Sequence, residues 1–570
     1  MKSPRIGLFL TSFSLICSGL CCIVDEYILA QLSSNILGNP AQQWPIVIGL
    51  MLFATGVGAW LAQFVKENNT IKAFIGIELM LSFLGGFSPL IIMMSYAYLF
   101  LHFKLMFYGV SFLIGLLIGF EQPLIATINK RFVGFRSNIS MTISLDVLGA
   151  AIGTFIWIKF LVGKVEIYYA AFMVTLLNLS VALLTYLFLA RNTSKEESGG
   201  LKTGILIAVV SILGLLGILF SGGIADLAEQ KLYTGQIIHK ESTPYQRIVM
   251  TKNAKNDDVM LFLNGALQFS SRDEHRYHEN LVHPPMTQRM MLAGKDAKFN
   301  VLVLGGGDGM AVREIKKYPQ VENITLVDLD PAVVDLGKSN PEFIKMNDSS
   351  LMDANVHILD FDFKGQAQKE AIKMYSNERD EQGNYKLYTV DSVQVLHADA
   401  YTFVEQMVQQ PIRYDVILID FPDPRNESLG KLYSKYFFSR IQLLLKENGF
   451  VSIQSSSPVH AHKAYICVGK TMTAAGLNVL PYHDNVPSFN EWGWYVASRS
   501  IDNIDMKRMT ERMNQLNEFP VETEYLTPQK FYSNTIFGKD VLTNVEDVEV
   551  STLTNPVVYH YYVTYAWKDY

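Results

Sequence analysis

Residues 301–314, VLVLGGGDGMAVRE, run from four aliphatic side chains through a glycine-rich loop into a helix-forming stretch. A strand apolar on both faces, followed at once by such a loop and a helix, opens a βαβ unit, because glycines let backbone N–H groups approach a ligand at the helix start. One residue departs from the usual pattern. A fixed carboxylate repels phosphate, yet Asp308 stands inside this loop, and its charge points to a cationic guest.

Downstream, short apolar runs at 324–327, 393–396, 416–419 and 451–454 alternate with helical segments. Strands buried on both faces with helices between them argue a doubly wound parallel sheet, a Rossmann-like domain over residues 301–570. Asp328 ends the strand ITLVD about twenty residues beyond the loop, where this fold commonly sets an acid on ribose hydroxyls. The ligand is therefore read as a nucleoside. In YDVILIDFPDP, residues 414–424, Asp420 falls at the carboxyl edge of the sheet and joins Asp308 in an acidic pocket, while Asp423, taken alone, fits a solvated turn equally well.

Upstream, residues 246–251 and 260–263 read as short strands and 272–292 as a helix, which makes residues 223–300 a small β-rich part ahead of the catalytic domain. Before it the chain changes character. Of its 570 residues 49% are hydrophobic, and the excess is concentrated before residue 222. Apolar runs near 6–29, 44–64, 72–94, 105–128, 139–161, 166–190 and 203–221 approach the ~20 residues that span a bilayer. Residues 1–222 are thus expected to form a multi-span α-helical transmembrane domain. The first run lacks a small-residue cleavage site and six more follow, so it is read as retained and not as a signal peptide.

A net charge of −6, with no basic stripe or recognition motif, excludes nucleic acid. Cys17, Cys21 and Cys22 lie in the first apolar run and Cys467 stands alone, so no disulfide framework or metal site is expected.

The ordered motifs GGGDG (305–309), VDLD (327–330), DAYTF (399–403) and DFPDP (420–424), preceded by YQRIVM (245–250), LNGALQ (263–268) and DEHRYHENLVHPP (273–285), resemble the spermidine synthases, the polyamine aminopropyltransferases. The apolar first half resembles that family's membrane-fused branch. The resemblance implies an AdoMet-methyltransferase-like fold and transfer of an aminopropyl group from decarboxylated S-adenosylmethionine to putrescine, giving spermidine and methylthioadenosine without a cofactor. It implies that Gln246, the glycines Gly305, Gly306 and Gly307, Asp328, Asp399 and Ala400 hold the donor. Tyr277, His278, Asp308 and Asp423 match amine and aminopropyl positions, and Asp420 matches the proton acceptor. A homo-oligomer is also implied, since soluble relatives are typically dimers or tetramers.

Elementary chemistry agrees with those roles. A basic amine arrives protonated and attacks carbon only after losing a proton, so a nearby carboxylate has to attract the cation and take the proton. Tyr245, Tyr277, Phe421 and Trp492 are candidate aromatic walls for adenine or the polyamine chain. The chain also departs from the family: Asn264 stands where LDG has its acid, Asp328 where glutamate is common, Ala400 where glycine is usual, and RNESLGK follows Pro424 in place of a glycine- and proline-rich gate. A long insertion at about 363–391 separates two strand candidates, and Asp399 is preferred for adenine over Asp360 or Asp362 because its spacing to Asp420 suits one helix and one strand.

Two other functions fit parts of the pattern. A methyltransferase would share the nucleoside layout but leave Asp308, Asp423 and the Tyr277–His278 segment unexplained. A membrane polyamine sensor or transporter would use Asp25, Glu26, Glu78, Glu121 and Asp146, acids in or beside apolar runs, although helix-end acids also cap neighbours or face water. Basic residues favour one side: Lys2, Arg5, Lys66, Lys72, Lys130, Arg131, Arg136, Arg191, Lys195 and Lys202 against Lys104, Lys159 and Lys164. Seven crossings from an inside amino terminus would put the catalytic domain outside, whereas a metabolite donor places it in the cytoplasm; a cytoplasm-facing domain anchored in the cell membrane is the expectation.

Overall fold

The computed structural model describes residues 4–37, 40–188, 200–294, 296–352, 357–360, 392–543 and 545–566. The insertion at 363–391 and Asp362 lie outside them. Two compact units divide the chain, Met1–Ala254 and Lys255–Tyr570.

The first unit is built from α1 (Pro4–Leu37), α2 (Pro40–Ala62), α3 (Thr70–Tyr98), α4 (Phe103–Asn129), α5 (Phe135–Ile156), α6 (Ile167–Phe188) and α7 (Gly200–Leu232). Seven helices among the described residues are long and apolar enough to cross a membrane. Span lengths of 21 to 33 residues exceed the ~20 that cover a hydrocarbon core of ~30 Å. Small residues let the helices touch: a Cβ on Gly19 of α1 would collide with the Asp146 carbonyl of α5, and one on Gly149 would collide with the Ile16 carbonyl of α1. Such close backbone approach is how apolar helices associate where burial from water offers no drive.

The acids of the apolar runs turn inward. Asp25, Glu26, Glu78 and Glu121 are buried in this unit; Ser18 Oγ donates to Glu121, and Gln122 Nε2 donates to the half-buried Asp146 across 2.7 Å. Helix α7 continues through Gly222 and Gly223 and meets the hairpin β1 (Gln236–Ser242) and β2 (Arg247–Asn253). There the Arg247 guanidinium forks onto both carboxylate oxygens of Glu229, at 2.9 and 2.7 Å, and reaches Glu166 at 2.7 Å. Bidentate geometry makes this a stronger tie than an exposed ion pair.

The second unit begins with the hairpin β3 (Asp258–Leu263) and β4 (Ala266–Ser270) and the helix α8 (Glu274–Ala293). An eight-stranded sheet follows: β5 (Phe299–Gly305), β6 (Val321–Asp328), β7 (His357–Asp360), β8 (Ser392–His397), β9 (Tyr414–Asp420), β10 (Leu445–Gln454), β11 (Leu477–Val486) and β12 (Asn490–Arg499), in the order β11-β12-β10-β9-β5-β6-β8-β7. The helices around it include α9 (Met310–Lys316), α10 (Pro331–Ser339), α11 (Ala400–Met407), α12 (Lys435–Leu444), α13 (His462–Ala474) and, near the carboxyl end, α14 (Val557–Tyr565). Val301, Leu302, Val303 and Leu304 of the central strand β5 are fully buried, Leu302 and Leu304 in one apolar cluster and Val301 and Val303 in the other. Burying each such side chain stabilises the fold by ~1.5–3 kcal/mol.

The sheet is mixed, which corrects the expectation of a purely parallel one. Strand β12 pairs antiparallel with both β10 and β11, while β10, β9, β5, β6, β8 and β7 pair in parallel. The hairpin connection between β11 and β12 is too short for a crossover helix, so it forces the reversal. Strand order reverses between β5 and β9, and at such a switch point the loops leaving the carboxyl ends of the two strands diverge and open a crevice.

Candidate active site

Gly305 ends β5 and lies in register with Asp420, which ends β9. A Cβ on Gly305 would stand 2.1 Å from the Asp420 carbonyl oxygen, and the residue holds φ +84°, so only glycine lets the two strand ends meet. Turning out of register next door, Gly307 donates its N–H to Asp328 Oδ2 at 2.9 Å, and Asp328 Oδ1 accepts the Asp330 N–H at 2.9 Å. Burial pushes the Asp328 carboxyl up to about 6, although those two N–H groups oppose the rise.

Asp308 is half-buried and caps the start of α9, its Oδ1 accepting the Met310 N–H at 2.9 Å. Helix α8 brings Tyr277 and His278 over the same rim. The Tyr277 hydroxyl donates to Asp420 Oδ1 at 2.5 Å, and its ring packs 5.7 Å from Trp494 and 6.3 Å from Phe489. His278 Nδ1 sits 2.8 Å from Glu274 Oε2, and Glu274 in turn takes Arg313 Nη1 at 2.8 Å.

These groups set one another's charges. Burial disfavours the imidazolium of His278, but the Glu274 carboxylate, with Asp308 and Asp420 also near, lifts it to about 9. Burial pushes the Asp420 carboxyl up to about 6; the His278 ring and the Tyr277 hydrogen bond restrain that rise, and Asp308 adds to it. Burial and the adjoining Asp420 carboxylate hold the Tyr277 phenol well above its ordinary range. Near neutral pH the rim thus carries an ionised Asp420 beside a cationic histidine, with a hydroxyl that stays protonated.

Asp423 is buried three residues past Asp420, raised by burial against the opposing pull of Arg425 and of Tyr562, whose hydroxyl donates to Asp423 Oδ2 at 2.8 Å. Tyr433 and Gln454 fasten the intervening turn: the Tyr433 hydroxyl donates to the Pro422 carbonyl at 3.0 Å and Gln454 Nε2 to the Phe421 carbonyl at 2.5 Å.

Tyr277, His278, Asp308, Asp328, Asp420 and Asp423, with the glycines Gly305, Gly306 and Gly307, are therefore brought to one rim. Asp399 stands at the end of β8, capping α11 through the Tyr401 N–H at 2.9 Å, but its Oδ2 is engaged by Lys431 Nζ at 2.6 Å. Ala400 is buried in the first turn behind it. Gln246 belongs to the first unit, in the turn between β1 and β2, where its N–H donates to Thr243 Oγ1 at 3.0 Å. Of the aromatic candidates Tyr277 is at the rim, Phe421 packs against Phe437 in the core at 5.9 Å, Trp492 packs on Phe489 at 4.9 Å, and Tyr245 is exposed in the first unit. Trp494, Arg425, Lys431 and Tyr562 were not singled out by the sequence; only Arg425 and Lys431, the two ends of the departing gate segment, carried any signal.

Among the described residues one group of metal-ligating type occurs, Glu279, His283 and Glu314. Its atoms are already spent on the fold. Glu279 accepts the N–H groups of Glu524, Tyr525 and Leu526, Glu314 pairs with Arg313 and Lys317, and His283 Nδ1 meets the Tyr318 hydroxyl.

The spermine/spermidine synthase domain matches residues 274–369 and 366–508. The polyamine aminopropyltransferase of Oceanobacillus iheyensis is 36% identical over 555 residues, covering 97% of this chain and 96% of its own length. That of Leptospira interrogans is 35% identical and covers 95% of each chain. The chain belongs to the polyamine aminopropyltransferase family. Membership of that family makes it an aminopropyltransferase of polyamine synthesis, a transferase whose co-substrate is decarboxylated S-adenosylmethionine and which uses no further cofactor. The methyltransferase reading is thereby displaced. The crystal structure of the spermidine synthase from Thermotoga maritima aligns at 19% identity with a TM-score of 0.40, covering 54% of this chain and 87% of its own.

Proposed function

We propose that this aminopropyltransferase acts on putrescine, giving spermidine and methylthioadenosine, with Asp420 as the proton acceptor. The observation that carries this reading is the half-buried Asp420 carboxylate, held by Tyr277 and raised to about 6 at a rim that also gathers Asp308 and Asp423. Asp423 and Asp308 attract the two cationic partners, and Asp420 receives the proton that the attacking ammonium must lose. The freed nitrogen lone pair forms a bond to the methylene carbon next to sulfur. The carbon–sulfur bond breaks with its electron pair going to sulfur, so the sulfonium leaves as a neutral thioether. No covalent enzyme intermediate is needed, and alignment of nitrogen, carbon and sulfur supplies most of the rate.

In this reading Gly305, Gly306, Gly307, Asp328, Asp399 and Ala400 hold the nucleoside donor, with Asp328 on the ribose and Asp399 on the adenine amino group. Tyr277 and His278 border the aminopropyl group. The test is product analysis of the full chain, in detergent, with the decarboxylated donor and a panel of diamines, agmatine and spermidine. Spermidine from putrescine as the fastest product supports the assignment; a faster reaction with another amine overturns it.

We also propose that the first unit is an integral part of the cell membrane and that the catalytic unit faces the cytoplasm, where its donor is made. The seven apolar helices support this placement. If all seven cross, the amino terminus lies outside, against the count of basic residues. Protease treatment of inside-out vesicles tests it: cleavage of the catalytic unit there, and protection in right-side-out vesicles, is the expected pattern.

A further inference from the structure

The family domain match ends at residue 508, yet the chain returns to the site well beyond it. Helix α14 packs Val557, Val558 and Tyr562 into the apolar cluster that also holds Ala464 and Cys467 of α13. From that anchored helix the Tyr562 hydroxyl donates to Asp423 Oδ2 across 2.8 Å, a buried bond between residues 139 positions apart. Arg425 Nη2 approaches the same oxygen at 4.0 Å, and its guanidinium lies over the Tyr562 ring at 6.0 Å from the centroid. The second oxygen, Asp423 Oδ1, is buried and has no hydrogen-bond partner.

A buried carboxylate is stable only when its oxygens are satisfied, and a vacant acceptor is costly unless a ligand completes it. Here Oδ2 is held by Tyr562, while Oδ1 lacks a hydrogen bond of its own, with the Gln454 and Ser456 side chains also near the carboxylate. We propose that Tyr562 is a positioning residue for the acceptor amine, fixing the rotation of the Asp423 side chain so that Oδ1 faces the distal ammonium of an alkyl diamine. Tyr433 and Gln454 hold the backbone of the turn, Arg425, Gln454 and Ser456 lie near the carboxylate, and Tyr562 adds a direct 2.8 Å hydrogen bond from a part of the chain outside the matched domain. The inference rests on the assignment of Asp423 to the amine.

The test compares Tyr562→Phe, Asp423→Asn and the double variant of the full-length protein in steady-state kinetics with putrescine and the decarboxylated donor. Phenylalanine keeps the ring in the core and under Arg425 and removes only the hydroxyl. Loss of a hydrogen bond to a charged group is expected to raise the amine KM roughly tenfold or more, with the donor KM unchanged and kcat at saturating amine lowered less than about threefold. In the Asp423→Asn background the tyrosine substitution is expected to add little, because its partner charge is already gone. An unchanged amine KM in Tyr562→Phe, while Asp423→Asn raises it, overturns the role of Tyr562. Equal rises in both KM values with a lowered melting temperature also overturn it, as a merely structural effect. An unchanged amine KM in Asp423→Asn instead removes the underlying assignment of Asp423.

Discussion

The Tyr277 hydroxyl donates to Asp420 Oδ1 at 2.5 Å, joining helix α8 to the end of strand β9. The contact orients the acid and at the same time weakens it as a base, because a hydrogen bond to the ionised form favours that form. His278, one residue along the same helix, adds a positive charge with the same sense. Tyr277 and His278 thus hold Asp420 ionised against a burial that alone would neutralise it.

The pH profile of kcat follows from this balance. Asp420 accepts a proton only when ionised, so with both substrates saturating, kcat is expected to rise as pH increases through about 6 and to be lost below it. His278→Gln removes a neighbouring cation and leaves burial and Asp308 opposed only by the Tyr277 hydrogen bond, which moves that acid limb upward by roughly one pH unit. Asp420→Asn abolishes the limb with the acceptor itself and lowers kcat by about 10²–10⁴-fold, with donor binding preserved. Turnover of Asp420→Asn at the parent rate would remove its role.

Donor affinity has a separate pH dependence. Asp328 is raised to about 6, where it is held by the Gly307 and Asp330 N–H groups. As pH falls through that value the carboxylate gains a proton and loses acceptor capacity toward ribose hydroxyls, so the donor KM is expected to climb below about pH 6. Asp328→Asn is expected to raise the donor KM at neutral pH and to flatten this dependence, read by initial rates at varied donor. A KM in Asp328→Asn equal to the parent's argues that the ribose lies elsewhere.

If Asp308 borders the aminopropyl end of the donor, it is expected to discriminate against intact S-adenosylmethionine. The intact donor carries a carboxylate that the decarboxylated one lacks, and like charges brought together in a desolvated site cost several kcal/mol. Asp308→Asn is nearly isosteric and keeps an oxygen for the Met310 N–H that now caps α9, so the helix start survives and only the charge goes. Competitive inhibition by intact S-adenosylmethionine is expected to strengthen by ten- to a hundredfold in this variant, corresponding to ~1.4–2.7 kcal/mol. An unaltered inhibition constant assigns selectivity to another group.

Much of this rim was legible because its signals are local. The loop around Asp308 and the strand-end acids Asp328 and Asp420 each sit beside an apolar run that fixes a strand, so sequence spacing carries over to space, whereas the Tyr277–His278 pair was legible only through the resemblance of its DEHRYHE segment. The hairpin of β11 and β12 was not read: Pro481 and the polar residues of β11 mask an edge strand, the position where a missing N–H is tolerated. Tyr562 has no local signal at all, since its meaning arises only when α14 folds back over 139 residues to Asp423. The direct engagement of Asp399 by Lys431 was equally hidden, because a lysine in a polar segment names no partner.

That last pair yields the remaining prediction. If Asp399 reads the adenine amino group, the nucleoside competes with Lys431 Nζ, which lies 2.6 Å from Asp399 Oδ2. Both side chains are about a third exposed, at 35% and 37%, so the ion pair is worth only ~0.2–1 kcal/mol and the ligand displaces it readily. Lys431→Met retains the aliphatic stem and removes the competing charge. The donor KM is then expected to fall by up to about fivefold, the amount that 1 kcal/mol allows. Asp399→Asn should raise the donor KM, and in that background Lys431→Met should have almost no effect. A donor KM that rises in Lys431→Met would show the lysine to be a contact of the bound nucleoside and not its rival, and would move adenine recognition away from the simple carboxylate model.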